Sequence, residues 1–263
     1  MPAQDAEREQ RRQKVGASLT AIMTGATRAC VGSALAGGAN GIVGGLLLSV
    51  APDNTAPLAI VPVLALVGAG AGAAGGLGVG AGLAVAESSS RLRNALGLAT
   101  GAAAGGAAIG MAVQWLMRWS LATVVGLHLP IGGAFEGLVI GAAAGVGYGF
   151  ARRLGAAARS RGYGATVVAA CCAAGALALS WAGRPLVGGT LHLIARDARG
   201  SQISLTPLGR LVGDPAFGPL SQALIAAWEG GTFGFGVGVA LLRRRSHSQL
   251  TNSSSAARHF PGG

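Results

Sequence analysis

The stretch AFEGLVIGAAAGVGYGFARR, residues 134–153, has glycine at every fourth position from Gly137 and one carboxylate, Glu136, near its start. A second stretch, AWEGGTFGFGVGVALLRRR, residues 227–245, has the same plan: Glu229 before a glycine, spaced glycines, then arginines. Both are long enough to cross a bilayer as a helix, which needs about 20 apolar residues. Their glutamates are the anomaly.

Apolar windows of this kind recur at 29–50, 57–86, 94–117, 131–151, 162–183 and 219–242, free of charge apart from the two glutamates. The second is long enough to start after Pro62 or to tilt. The chain of 263 residues is 51% hydrophobic and 11% charged, with 47 glycines, far from a soluble composition. The glycines show no three-residue period, which excludes a collagen-like chain. The expected fold is therefore an all-α integral membrane protein of six transmembrane helices.

The net charge of +11 would point to nucleic acid in a soluble domain. Here the bases sit between the windows, where they carry topology. Basic segments precede the first window (Arg8, Arg11, Arg12, Lys14, Arg28) and follow the second (Arg91, Arg93), fourth (Arg152, Arg153, Arg159, Arg161) and sixth (Arg243, Arg244, Arg245). The alternate segments are poor in bases or offset by Asp. The positive-inside rule thus places both termini in the cytoplasm, with no nucleic-acid partner expected. Trp115, Trp119 and Trp181 end windows on the outer side, and Tyr148 and Tyr163 lie by the inner one, as an interfacial belt requires.

Domain organisation follows: a basic cytoplasmic segment at 1–28, a six-helix domain at 29–242 with an outer loop at 184–218, and a basic flexible tail at 243–263. The N-terminus is too polar and acidic for a secretory signal, and both polar ends are expected to be mobile and to meet anionic lipid head groups. Arginine almost without lysine, beside abundant Ala and Gly, points to a GC-rich bacterial genome, hence to a bacterial inner membrane.

The same map suggests a repeat. Arg28, Arg93 and Arg161 precede the odd windows, spaced 65 and 68 residues apart. The even windows carry glycines four apart: Gly68, Gly72, Gly76 and Gly80; Gly133, Gly137, Gly141, Gly145 and Gly149; then Ala226 with Gly230, Gly234 and Gly238. Residues four apart share a helix face, so each run leaves a groove without side chains into which another backbone fits. Three pseudo-repeated helical hairpins packed through glycine zippers are expected. A phosphate-binding reading of GAGAGAAGGLGVG, residues 68–80, fails because no Lys-Ser/Thr follows and no strand precedes.

A carboxylate within a bilayer costs about 2.5 to 3.5 kcal/mol, so Glu136 and Glu229 need partners. Arg118 and Arg184 end the third and fifth windows on the same side, and the expected pairs are Arg118 with Glu136 and Arg184 with Glu229. The alternative is that the two glutamates line a path for protons, cations or a small solute. Cys30, Cys171 and Cys172 lack metal or redox spacing, and are expected to be packing residues. His192 and Asp197 in the outer loop stand without a nucleophile at motif spacing, so a membrane-embedded enzyme using Glu136, Glu229 and His192 has little in the sequence to carry it. The function expected is non-enzymatic: a multi-pass scaffold or partner-docking module in the bilayer, possible as a homo-oligomer or with another membrane protein, with no catalytic residues, cofactor or metal.

Overall fold

The computed structural model describes residues 2–50, 58–89, 92, 94–126, 132–154, 161–184, 186, 209, 213–214 and 218–242. Among these residues the chain is all-helical, with no strand. Helix α1 runs Pro2–Val50, α2 Ile60–Ser88, α3 Ala95–Ser120, α4 Ala134–Arg153, α5 Arg161–Trp181 and α6 Pro219–Leu242; a π-helical turn, Leu121–Val125, continues α3. All six are long and apolar enough to cross a membrane.

Each helix packs antiparallel on the next, and α6 returns to pack on α1. Helices α1 and α2, α3 and α4, and α5 and α6 make the three most extensive contacts. Helices α2, α4 and α6 also touch one another across the centre. The bundle has a near end, where α1 begins and α6 stops, and a far end opposite.

Side chains are distributed inside out. The buried set is dominated by Ala and Gly, while Leu35, Leu66 and Leu96 are each more than 70% exposed. In water such a surface would be an aggregation liability, but lipid tails are as apolar as leucine and the exposure costs nothing there. Small residues go inside because helices in lipid associate by close packing. Gly37 of α1 faces the carbonyl of Gly68 in α2, and Ser33 and Ala29 lie against Gly72 and Gly76. Gly78 and Gly82 of α2 meet Gly105 and Gly101 of α3; Gly133, just before α4, and Gly137 of α4 meet Gly110 and Gly106. Gly230 and Gly234 of α6 meet Cys172 of α5. At each contact a methyl group would collide with the facing helix, in most cases with a carbonyl oxygen. Such approaches also bring Cα–H groups near carbonyls, a weak attraction of about 0.5–1 kcal/mol each.

Helix α1 is continuous from Pro2 through the polar N-terminal segment, because Ala, Glu, Gln, Arg and Lys favour helix and proline is tolerated at the first helical position. Two expectations need correction. Helix α2 starts before Pro62, at Ile60, because a first-turn N–H has no intrahelical partner to lose. Tyr148 is buried rather than interfacial, whereas Tyr163 is exposed at the near end and Trp115, Trp119 and Trp181 at the far end. The tail at 243–263, and His192 and Asp197, lie outside the described residues.

Gly72→Ala should destabilise the bundle by about 1–3 kcal/mol, the usual cost of overpacking, because its methyl group meets the Ser33 carbonyl. Gly70→Ala, whose methyl group enters open space, should leave stability unchanged or raise it by up to about 1 kcal/mol through helix propensity. Unfolding of both variants in detergent, followed by circular dichroism, checks the contrast.

Candidate functional site

The polar groups of the bundle gather at its two ends, and α4 carries one cluster at each. At the far end, α4 begins at Ala134 and so places Glu136 in its first turn. One carboxylate oxygen, Oε2, accepts the N–H of Gly133 at 2.5 Å, and the other, Oε1, accepts Nη1 of Arg184 at 2.9 Å. The first contact is half of a capping box, in which a glutamate reaches back to the N–H before its own helix. The helix dipole favours a negative charge at the same place. Gln114 of α3 adds to the arrangement, its Oε1 accepting the N–H of Ala134 at 3.3 Å. A polar residue that could have belonged to a path instead satisfies the start of the neighbouring helix.

The ion pair at Glu136 is with Arg184 rather than with Arg118, and register explains why. Gly110 of α3 lies against Gly133, just before α4, so Glu136 is level with Ala107. Arg118 lies eleven residues beyond Ala107, about 16 Å further toward the far end at 1.5 Å per residue. Arg184 reaches Glu136 because α5 ends in a left-handed turn. Gly183 has φ 70°, its N–H bonds the carbonyl of Ser180 at 3.0 Å, and the N–H of Arg184 bonds that of Leu179 at 2.9 Å. These are the two bonds of a Schellman motif, which turns the chain back over the bundle. The Arg184 guanidinium also lies over the ring of Phe135, 4.7 Å from its centroid.

Glu229 is not an equivalent of Glu136. Helix α6 begins at Pro219, so Glu229 sits in its third turn rather than its first. The carboxylate is half-buried with Oε2 shielded from solvent, and its backbone carbonyl accepts the Thr232 hydroxyl at 3.0 Å. Arg184, its expected partner, is engaged at Glu136.

The near-end cluster was not foreseen. Glu87, in the last turn of α2, accepts both the Tyr148 hydroxyl at 2.9 Å and Nη1 of Arg152 at 3.0 Å through Oε1. Arg152 lies 5.8 Å from the centroid of the Tyr148 ring. The pair Glu87–Arg152 thus ties α2 to α4, as Glu136–Arg184 ties α4 to the end of α5. The available signal was Tyr148 four residues before Arg152, one helical turn, facing an end-of-window glutamate.

Outside the helices, Asp214 organises the entry to α6. Its Oδ2 accepts the N–H of Ser221 at 3.2 Å and the Ser221 hydroxyl at 3.1 Å. The backbone hydrogen bond from Ser221, foremost, holds this carboxyl below its ordinary value of 3.8; desolvation opposes it, and further bonds from Gly218, the Ser221 hydroxyl and Leu220 add to it. Cys30, Cys171 and Cys172 are free thiols, and Cys172 is packed against Gly230 and Gly234. Among the described residues no three His, Cys, Asp or Glu side chains gather where they could hold one ion. Comparison with protein-family models, curated proteins and solved structures finds no match to this chain.

Glu136→Ala should cost more stability than Arg184→Ala, because it removes the Gly133 acceptor as well as the ion pair. A double-mutant cycle in detergent should give a Glu136–Arg184 coupling of about 1 kcal/mol or less, since Arg184 is half exposed. The same cycle between Glu136 and Arg118 should give none. A second prediction concerns acid. A carboxyl with a depressed pKa contributes stability above its unfolded value and loses it as pH falls through the folded one. The protection of the Ser221 amide against hydrogen exchange, relative to its intrinsic rate at each pH, should therefore fall once the pH drops below 3.8, while an Asp214→Asn variant should show no such step.

Proposed function

We propose that the chain is a non-enzymatic multi-pass membrane protein that acts by assembly, as a scaffold or docking module within the bilayer. The observation that carries this reading is the use made of Glu136. One oxygen caps its own helix and the other pairs with Arg184, so the most conspicuous intramembrane carboxylate is spent on structure. The interior supports the same reading. Among the described residues the buried polar or charged side chains are Ser33, Glu136 and Ser221, and backbone meets backbone across most helix contacts. A conducting path lined by Glu136 and Glu229 would need polar groups along its length.

The finer architecture belongs to this proposal. The hairpins α1–α2, α3–α4 and α5–α6 are three copies of one ancestral unit, packed through glycine zippers. In support, Gly137, Gly141 and Gly145 face α3, and Gly230, Gly234 and Gly238, ninety-three residues on, face α5. Gly68, Gly72 and Gly76 face α1 in the same way. The near end is the cytoplasmic one, on the strength of the arginines in its segments, and the membrane is a bacterial inner membrane.

Extraction into native-membrane nanodiscs tests the reading: the chain should be found in a complex larger than a single 25.6 kDa polypeptide. Purified and reconstituted into liposomes, it should pass neither protons nor monovalent cations above the rate of empty vesicles. A monomer in the nanodiscs, or a flux that disappears in Glu229→Gln, would overturn assembly in favour of transport.

A further inference from the structure

Helix α1 packs on α2 along one face and on α6 along another, and both contacts repeat every turn. Against α2, Gly41 lies on Leu64, Gly37 on Gly68 and Ser33 on Gly72. One turn further along α2 the same three would meet Gly68, Gly72 and Gly76. A stripe of small residues does not by itself select a second register, but three other features of α1 do.

The first is an overhang. Gly45 lies on Val61 and α2 begins at Ile60, so α1, which ends at Val50, runs about four residues past α2 at the far end. A shift of α1 toward the near end by one turn, about 6 Å, makes the two level. At the near end Gly25 lies against Ala84, close to the end of α2 at Ser88, so the first part of α1 stands clear of α2. The second is a pair of polar groups one turn apart on α6. The seam between α1 and α6 encloses a groove of about 390 Å³, lined by Asn40 and by both Trp228 and Thr232. Asn40 Oδ1 accepts the indole N–H of Trp228. Thr232 donates its hydroxyl to the carbonyls of Trp228 and Glu229 and keeps lone pairs able to accept an amide N–H of Asn40. The shift that takes Gly37 from Gly68 to Gly72 also takes Asn40 from Trp228 to Thr232. In the opposite direction Asn40 would meet Leu224 and Gly37 would meet Leu64, so only one direction is favoured. The third is Ser33, whose Oγ is fully buried, aimed at Gly76 and without a hydrogen-bond partner. Thr20, Thr24, Thr100 and Thr166 each donate to a carbonyl of the preceding turn instead. The present register thus leaves a buried polar group unsatisfied.

We propose that α1 has two registers one turn apart, with Asn40 bonded to Trp228 in the present one and to Thr232 in the other. Ala36 holds the balance. The shift would bring it to the place of Gly32, where a methyl group lies 2.5 Å from the Gly236 carbonyl oxygen. The seam must widen to admit it, and the second register is therefore the less populated. The exchange carries the first part of α1 about 6 Å further out from the near end, a one-turn displacement between discrete packings. The device is independent of whether the protein acts by assembly or transport.

Disulfide trapping in membranes reads the two registers. A Cβ at Gly38 lies 3.5 Å from Ala69 Cβ, so Gly38→Cys with Ala69→Cys reports the present register. Gly38→Cys with Ala73→Cys reports the second, and Gly38→Cys with Ala65→Cys, one turn the other way, is the control. Mass spectrometry of the linked peptides separates these bonds from any made by the native cysteines. Ala36→Gly should raise the rate of crosslinking at the Ala73→Cys pair by about fivefold or more and leave the Ala65→Cys pair unchanged. Adding Thr232→Val should cancel the rise. The Ala69→Cys pair should crosslink in every variant, which verifies the fold; its failure in the otherwise native chain would overturn the starting register and the proposal with it. A rise at both flanking pairs alike, at neither, or one that Thr232→Val leaves in place would overturn the second register.

Discussion

The constraint on which this structure depends is the direct contact of one helix backbone with the next. In water, helices are driven together by the apolar surface they hide; in lipid that drive is absent, and close packing must supply the attraction. Glycine makes the closest packing available, and this chain uses 47 of them. Glycine costs helix stability in water, by about 1 kcal/mol relative to alanine, but a segment in hydrocarbon has no alternative partner for its backbone groups and stays helical. The inside-out arrangement follows. Where backbones touch, no room remains for large side chains, and most Leu, Val, Phe and Trp side chains lie on the lipid-facing surface, while Leu83, Leu98 and Leu179 fill the core between those contacts.

With Glu229 in the third turn of α6 an exception, a core filled by backbone keeps charge mostly at the helix ends. The two ion pairs sit there, one at each end of α4, and each joins consecutive hairpins. Removing Arg184 would leave the Glu136 carboxylate poorly solvated, so that side of the pair is more costly to break than the pair is valuable to make. Their role is best understood as fixing register. Glu136 can meet Arg184 only if α4 starts at Ala134 and the chain turns at Gly183, just past the end of α5. The carboxylate that looked like an intrusion in an apolar stretch is thereby accounted for by helix termination on two neighbouring elements.

Much of the architecture was legible in the sequence, because bilayer thickness converts directly into window length. The six windows differ from the six helices mainly at their boundaries. Ion-pair partners were not legible, because distance along one helix does not measure height on another. Arg118 and Glu136 looked level when each was counted from its own window edge, whereas the contact of Gly110 with Gly133 separates them by eleven residues. Glu87 was passed over because it stands at a window edge, where charge is ordinary, and Tyr148 was assigned to the interface because tyrosines near window ends usually belong there. Continuity of α1 into the first residues has a different basis: the composition of Pro2–Lys14, though polar, is favourable to helix.

The three seams between hairpins are unequal. Charge ties the first hairpin to the second at Glu87–Arg152 and the second to the third at Glu136–Arg184, whereas a neutral bond between Trp228 and Asn40 links the third back to the first. That last seam joins residues 188 apart in the chain, a longer loop than either ion pair closes. Beside that hydrogen bond, worth about 1 kcal/mol net, the seam is held by the backbone contact of Gly32 with Gly236. The groove lies in that seam. Close packing is thus most extensive within the hairpins, and beside the Gly32–Gly236 contact it loosens where the chain's first and last helices meet.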